Sequence, residues 1–254
     1  MTPGILPAAM STATRTSPPV AEHGALWDLE NLGGARRLRD FVFSQFEGLV
    51  RGRVAEIGAG IGTFSERILD RGVERLLVIE PEAVCVERLR RELGSRTEVE
   101  VAAETLPDSP ALARWESEAD FVLCQNVLEH IEDDASAMRS MAAALRPGGD
   151  LVVLVPAHPR LFGALDRAYG HHRRYTRERL RDVVVAAGLA VEDLYSFNLL
   201  GVPGWLVQAR RAKPAISPTA LRAYEALLRG WRPIEERWRP PWGLSLIVHA
   251  RRPR

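Results

Sequence analysis

Lysine is almost missing from this chain of 254 residues. Lys213 is the only one, and arginine carries the rest of the fixed positive charge. That bias reads as genome base composition rather than as a functional device. With 34 basic against 33 acidic residues, the formal net charge is +1. Such balance excludes a strong field drawing the chain to nucleic acid or to an anionic membrane. Cysteine is as scarce: Cys85 and Cys124 stand alone, without CxxC or metal-ligand spacing, and read as buried thiols of a reducing compartment. No apolar run approaches the ~18 residues of a membrane span. Residues 1–24 lack a basic segment followed by a long apolar stretch, so they read as a disordered leader rather than a secretory signal. A cytoplasmic location is expected.

What is present is an ordinary globular composition, 46% hydrophobic and 26% charged, arranged in alternating strand and helix signals. An amphipathic helix with Leu38, Phe41, Val42, Phe46 and Leu49 at helical spacing precedes the first strand. "RVAEIGA", "RLLVIEP", "TEVEVAAE", "ADFVLCQNVL" and "DLVVLVPA" are strands, each followed by a helical or irregular segment. Pro147 and Gly148 are expected to end the helix "DDASAMRSMAAALRPGG". Near-continuous apolar strands between helices predict an α/β fold with a doubly wound, mostly parallel seven-stranded sheet. A single domain is expected over 25–254, with its core at about 50–198. A helical elaboration follows at about 199–240, and a last strand at about 243–252.

In "VAEIGAGIGTF" a carboxylate, Glu56, stands inside an apolar run just before Gly58, Gly60 and Gly62. Glycines let a ligand approach the backbone, and the following helix offers unpaired N–H groups. Glu80, twenty residues past Gly60, ends the second strand, where an acid can accept hydrogen bonds from ribose hydroxyls. A dinucleotide loop needs a third glycine at position 63, which is Thr63, and Glu56 would repel a pyrophosphate. A cationic nucleoside suits the loop better. S-adenosylmethionine has ammonium and sulfonium charges, a ribose and no phosphate.

With "EIGAGIGTF", "LLVIEP", "ADFVLCQNVLEHIED" and "LRPGGDLVVLVP" in this order across roughly 50–160, the chain resembles class I S-adenosylmethionine-dependent methyltransferases of the small-molecule type. The resemblance implies a Rossmann-like sheet. It also implies that Glu56, Gly58, Ala59, Gly60 and Gly62 surround the methionine moiety, that Glu80 holds the ribose and that Pro81 lies beside the adenosine. Gln125, Asn126 and Val127 are implied near the methionine end. In "VAAETLPD" relatives often place an acid where this chain has Ala102, so Ala103 and Glu104 are the candidates for the adenine contact. Glu104 equally suits a solvated loop.

Methyl transfer is an in-line displacement that gains from positioning and, for a weakly acidic acceptor, from a base. The irregular "GHHRRYT" offers His171, His172 and Tyr175 as catalytic candidates, with Arg173 and Arg174 as holders of an anionic acceptor. It equally suits a basic turn in which Thr176 caps the next helix. His158, just past the fifth strand, is an alternative base, whereas His130 reads as packing and His23 and His249 as incidental. Asn198 and Trp205, in "FNLLGVPGWLV", are candidates for an apolar acceptor pocket; packing is the other reading of Trp205 and of Trp27, Trp231, Trp238 and Trp242. No carboxylate ends the fourth strand, and Glu132, Asp133 and Asp134 suit a helix start, so metal-independent chemistry is expected.

The expected activity is methyl transfer from S-adenosylmethionine to a small organic acceptor in specialised metabolism, oxygen being the first acceptor atom to consider. A nicotinamide-dependent oxidoreductase and a non-catalytic cofactor-binding protein are the rivals. Without the Asn/Asp-Pro-Pro-aromatic motif of base-directed methyltransferases, nucleic acid is disfavoured. The terminal elaborations suit either a cover over the pocket or a homodimer face.

Overall fold

The computed structural model describes residues 34–208 and 218–254. The expected leader over 1–24, His23, Trp27 and Lys213 lie outside the described residues. Seven strands form one sheet: β1 (Arg53–Ile57), β2 (Arg75–Ile79), β3 (Val99–Ala102), β4 (Ala119–Gln125), β5 (Leu145–Pro156), β6 (Ala190–Phe197) and β7 (Ser245–Arg251). Their order is β3-β2-β1-β4-β5-β7-β6. Neighbours among β1 to β5 pair in parallel, while β7 runs antiparallel to both β5 and β6. Winding proceeds outward from β1 to β3, then restarts on the other side of β1 at β4. The crevice beyond the carboxyl ends of β1 and β4 is therefore the switch point where open α/β sheets bind ligands.

Side-chain alternation splits the core into two layers. Val54, Leu76, Phe121 and Leu123 point to one face and pack with Phe41 and Val42 of α1 (Arg36–Phe43), Ile68 of α2 (Ser65–Leu69), and Leu89 and Leu93 of α3 (Ala83–Leu93). Ala55, Leu77, Val122 and Cys124 point to the other face. There they meet Leu112 of α4 (Pro110–Ala113), Met138 and Met141 of α5 (Asp134–Ala144), and Leu180 and Val184 of α7 (Arg177–Ala186). Each fully buried Leu, Ile or Phe contributes about 1.5–3 kcal/mol. Between α5 and α7 lies the short helix α6 (Ala164–Ala168).

Two boundaries differ from expectation. Helix α5 stops at Ala144, before Pro147 and Gly148, and Leu145 already pairs with Ala119 as β5 begins. The carbonyls left free at the helix end find distant donors: the Ser117 N–H and the Arg252 guanidinium both bond that of Ala143, at 2.9 and 3.1 Å. The region after β6 holds two helices, α8 (Gly201–Gln208) and α9 (Pro218–Trp238), where one was expected. Helix α9 anchors distant elements. Glu225 accepts the first-turn N–H groups of Arg37 and Leu38 at 3.1 and 2.8 Å, a cap for α1 that no local side chain provides. Glu235 accepts the backbone N–H of Leu199 at 3.2 Å and Trp231 Nε1 at 2.5 Å.

Candidate active site at the glycine loop

The turn after β1 requires glycine at Gly58. Its φ is +71°, and a Cβ there would lie 2.1 Å from Val127 Cγ2. The loop after β1 and the loop after β4 thus close on each other across the switch point, with Ala59 buried beneath them. Gly60 and Gly62 also have positive φ.

Two carboxylates sit under this loop. Glu56 is 3% exposed, and its Oε2 accepts a 2.5 Å hydrogen bond from Ser65 Oγ in the first turn of α2. Burial, only partly offset by that bond, raises its pKa to about 7, and the charge of Glu80 adds to the rise. Glu80 is also buried. Its carboxylate accepts the N–H groups of Gly60 at 2.7 Å and Glu82 at 3.0 Å. Burial raises its pKa too, against the lowering effect of those two bonds. Among the described residues, no cationic side chain bonds either group. A buried pair of acids without a cation costs stability, and the cost is relieved by a cationic ligand that also has hydroxyl donors. The residues here fit S-adenosylmethionine on that ground.

Of the other expected cofactor residues, Gln125 ends β4 and encloses an Oε1 with no hydrogen-bond partner. Asn126 follows with a positive φ of 51°, which aims it away from the strand direction. Pro81 and Ala103 are exposed at the ends of β2 and β3. Glu104 has a local role: its Oε2 accepts Ser109 Oγ at 2.6 Å and the N–H of Ala111 at 2.9 Å. That oxygen is thus committed to the start of α4.

The "GHHRRYT" segment divides by burial. Tyr175 is fully buried, and its hydroxyl donates to Asp134 Oδ2 at 2.9 Å. Burial raises its pKa far above the ordinary range, and the bond to Asp134 ties the ring into the core. Arg174 is buried as well. It donates to Asp166 Oδ1 at 2.7 Å and to the carbonyl of Ala157 at 3.1 Å, and its guanidinium lies 4.2 Å from the Trp205 ring centroid. Arg173 pairs with Asp134 at 2.9 Å and donates to the carbonyl of Glu132 at 2.7 Å. Both arginines are thereby engaged within the protein, contrary to a role in gripping an anionic acceptor. Thr176 caps α7 by accepting the N–H of Arg179 at 3.2 Å.

Two further acceptor candidates are also bonded within the protein. Asn198 Oδ1 accepts the N–H of Gly201 at the start of α8 and the hydroxyl of Tyr224, each at 2.9 Å. Trp205 donates through Nε1 to the carbonyl of Leu161 at 3.3 Å, while its face covers Arg174. His158 differs from these. It has a φ of +61°, stacks on Trp242 with centroids 4.6 Å apart, and keeps Nε2 without a partner. Burial holds its pKa below the ordinary value, which favours the neutral imidazole. His172 is exposed, and its backbone N–H donates to the carbonyl of Glu129 at 2.8 Å.

Sequence reasoning missed Glu129 and Asp166. Glu129 is fully buried in the 3-10 turn Leu128–His130, and neither carboxylate oxygen has a hydrogen-bond partner. Burial raises its pKa to about 8. The available signal was an acid directly before His130 in "LEHIED", hidden by attention to the three acids after it. Asp166 gave no motif; only folding brings it to Arg174 and His171.

A family model described as a methyltransferase domain matches residues 30–194. A ubiquinone biosynthesis O-methyltransferase of Idiomarina loihiensis is 26% identical over 63% of this chain and 71% of its own length. Its counterpart in Vibrio vulnificus is 34% identical over 48% of this chain and 54% of its own length, so the chain spans only about half of that relative. In structure, an S-adenosylmethionine-dependent methyltransferase from Mesorhizobium loti superposes with a TM-score of 0.56 at 19% identity, covering 80% of this chain and 93% of that one. These matches set aside the oxidoreductase alternative. The chain belongs to the methyltransferase-domain family and is a class I S-adenosylmethionine-dependent methyltransferase.

Proposed function

We propose that this protein methylates an oxygen atom of a small organic acceptor, using S-adenosylmethionine held beneath the glycine loop. The observation that carries the reading is the pair Glu56 and Glu80, both buried beside the loop at the switch point and bonded to no cationic side chain among the described residues. Glu56 would hold the ammonium group, and Glu80, already fixed by Gly60 and Glu82, would accept from ribose hydroxyls with its remaining lone pairs. The bound cofactor supplies an electrophilic methyl group on a sulfonium.

His158, neutral and with Nε2 unpartnered at the carboxyl end of β5, is the group on this chain best prepared to take the acceptor's proton. His171 and His172 remain secondary candidates. The resemblance to two ubiquinone biosynthesis O-methyltransferases supports oxygen over nitrogen as the acceptor atom. Among the described residues no helix is long and apolar enough to cross a membrane, which is compatible with a diffusible acceptor.

The test is calorimetric titration with S-adenosylhomocysteine, followed by transfer of a labelled methyl group to a panel of phenolic, enolic and amine acceptors. Saturable one-to-one binding with label recovered as a methyl ether or ester supports the reading. Label recovered only on nitrogen, or absence of binding by the folded protein, overturns it.

A further inference from the structure

We propose that Glu129, His130 and His171 form a binding site for one divalent first-row transition cation, such as Zn²⁺, Mn²⁺ or Co²⁺. One ligand atom from each of these side chains lies within 4.8 Å of the other two. The atoms come from separate parts of the fold. Glu129 and His130 follow β4 at the switch point, whereas His171 arrives on the segment between α6 and α7.

Three observations set this cluster apart from a chance grouping. First, the Glu129 carboxylate is fully buried with both oxygens unpartnered. The charge of nearby Arg174 offsets only part of the cost of burial, and a carboxylate without hydrogen bonds stays costly unless something further compensates it. Second, each histidine is oriented by a bond that leaves its other nitrogen available. His171 Nδ1 lies 2.9 Å from Asp166 Oδ1, and Nε2 faces Glu129 Oε1 at 4.0 Å. His130 hydrogen-bonds the backbone of Tyr169, and the two imidazoles meet edge-on with centroids 4.6 Å apart. A carboxylate behind a ligating histidine is the usual support for a metal-binding imidazole. Third, Asp166 is itself fixed by Arg174 at 2.7 Å and by the N–H of Gly163 at 2.8 Å, so this support is rigid.

The donor set decides the class of ion. Two imidazole nitrogens and one carboxylate oxygen suit borderline divalent metals rather than Mg²⁺ or Ca²⁺, which prefer oxygen. At metal–ligand distances of about 2.0–2.2 Å the three donors would draw closer than they stand now, a movement within reach of side-chain rotation. Three protein ligands leave coordination positions open for water or another oxygen donor. Resting on the proposed function, that donor is the acceptor's own hydroxyl, whose proton a cation would make easier to remove. This inference departs from the metal-independent chemistry expected from the sequence, which rested on the lack of a carboxylate ending the fourth strand and on Glu132, Asp133 and Asp134 suiting a helix start.

The experiment is a titration of Co²⁺ into the tag-free, chelator-treated full chain, followed by visible absorption and calorimetry. It requires neither acceptor nor methyl transfer, so its failure is separate from failure of the proposed function. One equivalent is expected to bind with a d–d absorption band. Glu129→Gln and His171→Ala are each expected to weaken binding at least tenfold, while S-adenosylhomocysteine binding and a cooperative melt report that the variants are folded. His130→Ala replaces either variant if it does not fold. Absence of Co²⁺ binding by the wild type, or wild-type affinity in either folded variant, overturns the proposal.

Discussion

Ser65 Oγ donates a 2.5 Å hydrogen bond to Glu56 Oε2, and that contact joins β1 to the first turn of α2 beneath the glycine loop. It is Glu56's only hydrogen bond among the described side chains, too little to offset burial. The arrangement places binding and stability in opposition at one residue. Glu56→Gln should therefore stabilise the ligand-free protein at pH 8 and weaken S-adenosylhomocysteine at least tenfold. Chemical denaturation and calorimetry read the two effects independently.

The pH dependence has a definite sign. Glu56 has its pKa raised from 4.5 to about 7 in the folded protein. Between those values the unfolded chain has lost the proton that the folded one keeps, so folded stability falls as pH rises, then levels off above about 7. The shift corresponds to about 3 kcal/mol. The difference in unfolding free energy between Glu56→Gln and wild type should grow by that order from pH 4 to pH 8. A cationic ligand favours the ionised carboxylate, so its binding should release a proton below pH 7. Calorimetry in buffers of different ionisation enthalpy measures that release.

The parts of the fold legible in the sequence are those set by local chemistry. Apolar strands such as "LLVI" and "FVLC" announce a sheet covered on both faces, and the glycine spacing announces the turn after β1. The end of α5 was not legible, because its last carbonyls are taken by groups outside the helix, among them Arg252, more than a hundred residues away. The same holds for the cap of α1, supplied by Glu225 from α9. Within the candidate site, Glu56 and Glu80 could be read from their positions at strand ends. "HHRRY" left an acceptor lid and a basic turn capped by Thr176 equally open, because five adjacent polar residues look alike in sequence. The fold sends Arg174 and Tyr175 inward and leaves His172 outside.

Tyr175 tests that sorting. Its hydroxyl bonds Asp134, which also pairs with Arg173 and Arg179, so Asp134 keeps partners when the hydroxyl is removed. Tyr175→Phe should cost about 1–2 kcal/mol of stability, while kcat per folded molecule stays within about twofold. A loss of turnover beyond a hundredfold, with the melt unchanged, would restore Tyr175 to the catalytic list.

Arg174 and Asp166 make the opposite case, since their side chains are 1% and 0% exposed. Removing the arginine leaves a buried aspartate with only His171 and a backbone N–H opposite it. Truncating one partner of such a pair costs about 3–5 kcal/mol. Arg174→Ala should lower the melting temperature sharply. If Arg174 instead held an anionic acceptor, the same change would raise KM with little loss of stability, so a melt and a KM measurement on one variant separate the two roles.

His158 carries the prediction that bears on chemistry. Burial keeps its imidazole neutral, and Nε2 has no partner to give up before accepting a proton. If it serves as the general base, His158→Gln should keep S-adenosylhomocysteine affinity within about twofold and lower kcat by about 10²–10⁴-fold. The deficit should shrink for acceptors acidic enough to ionise unaided. A base is redundant for those, whereas a purely positioning role would slow acidic and weakly acidic acceptors alike. A rate series over acceptors of graded acidity thus distinguishes proton removal from placement by the slope of the deficit, not by its size.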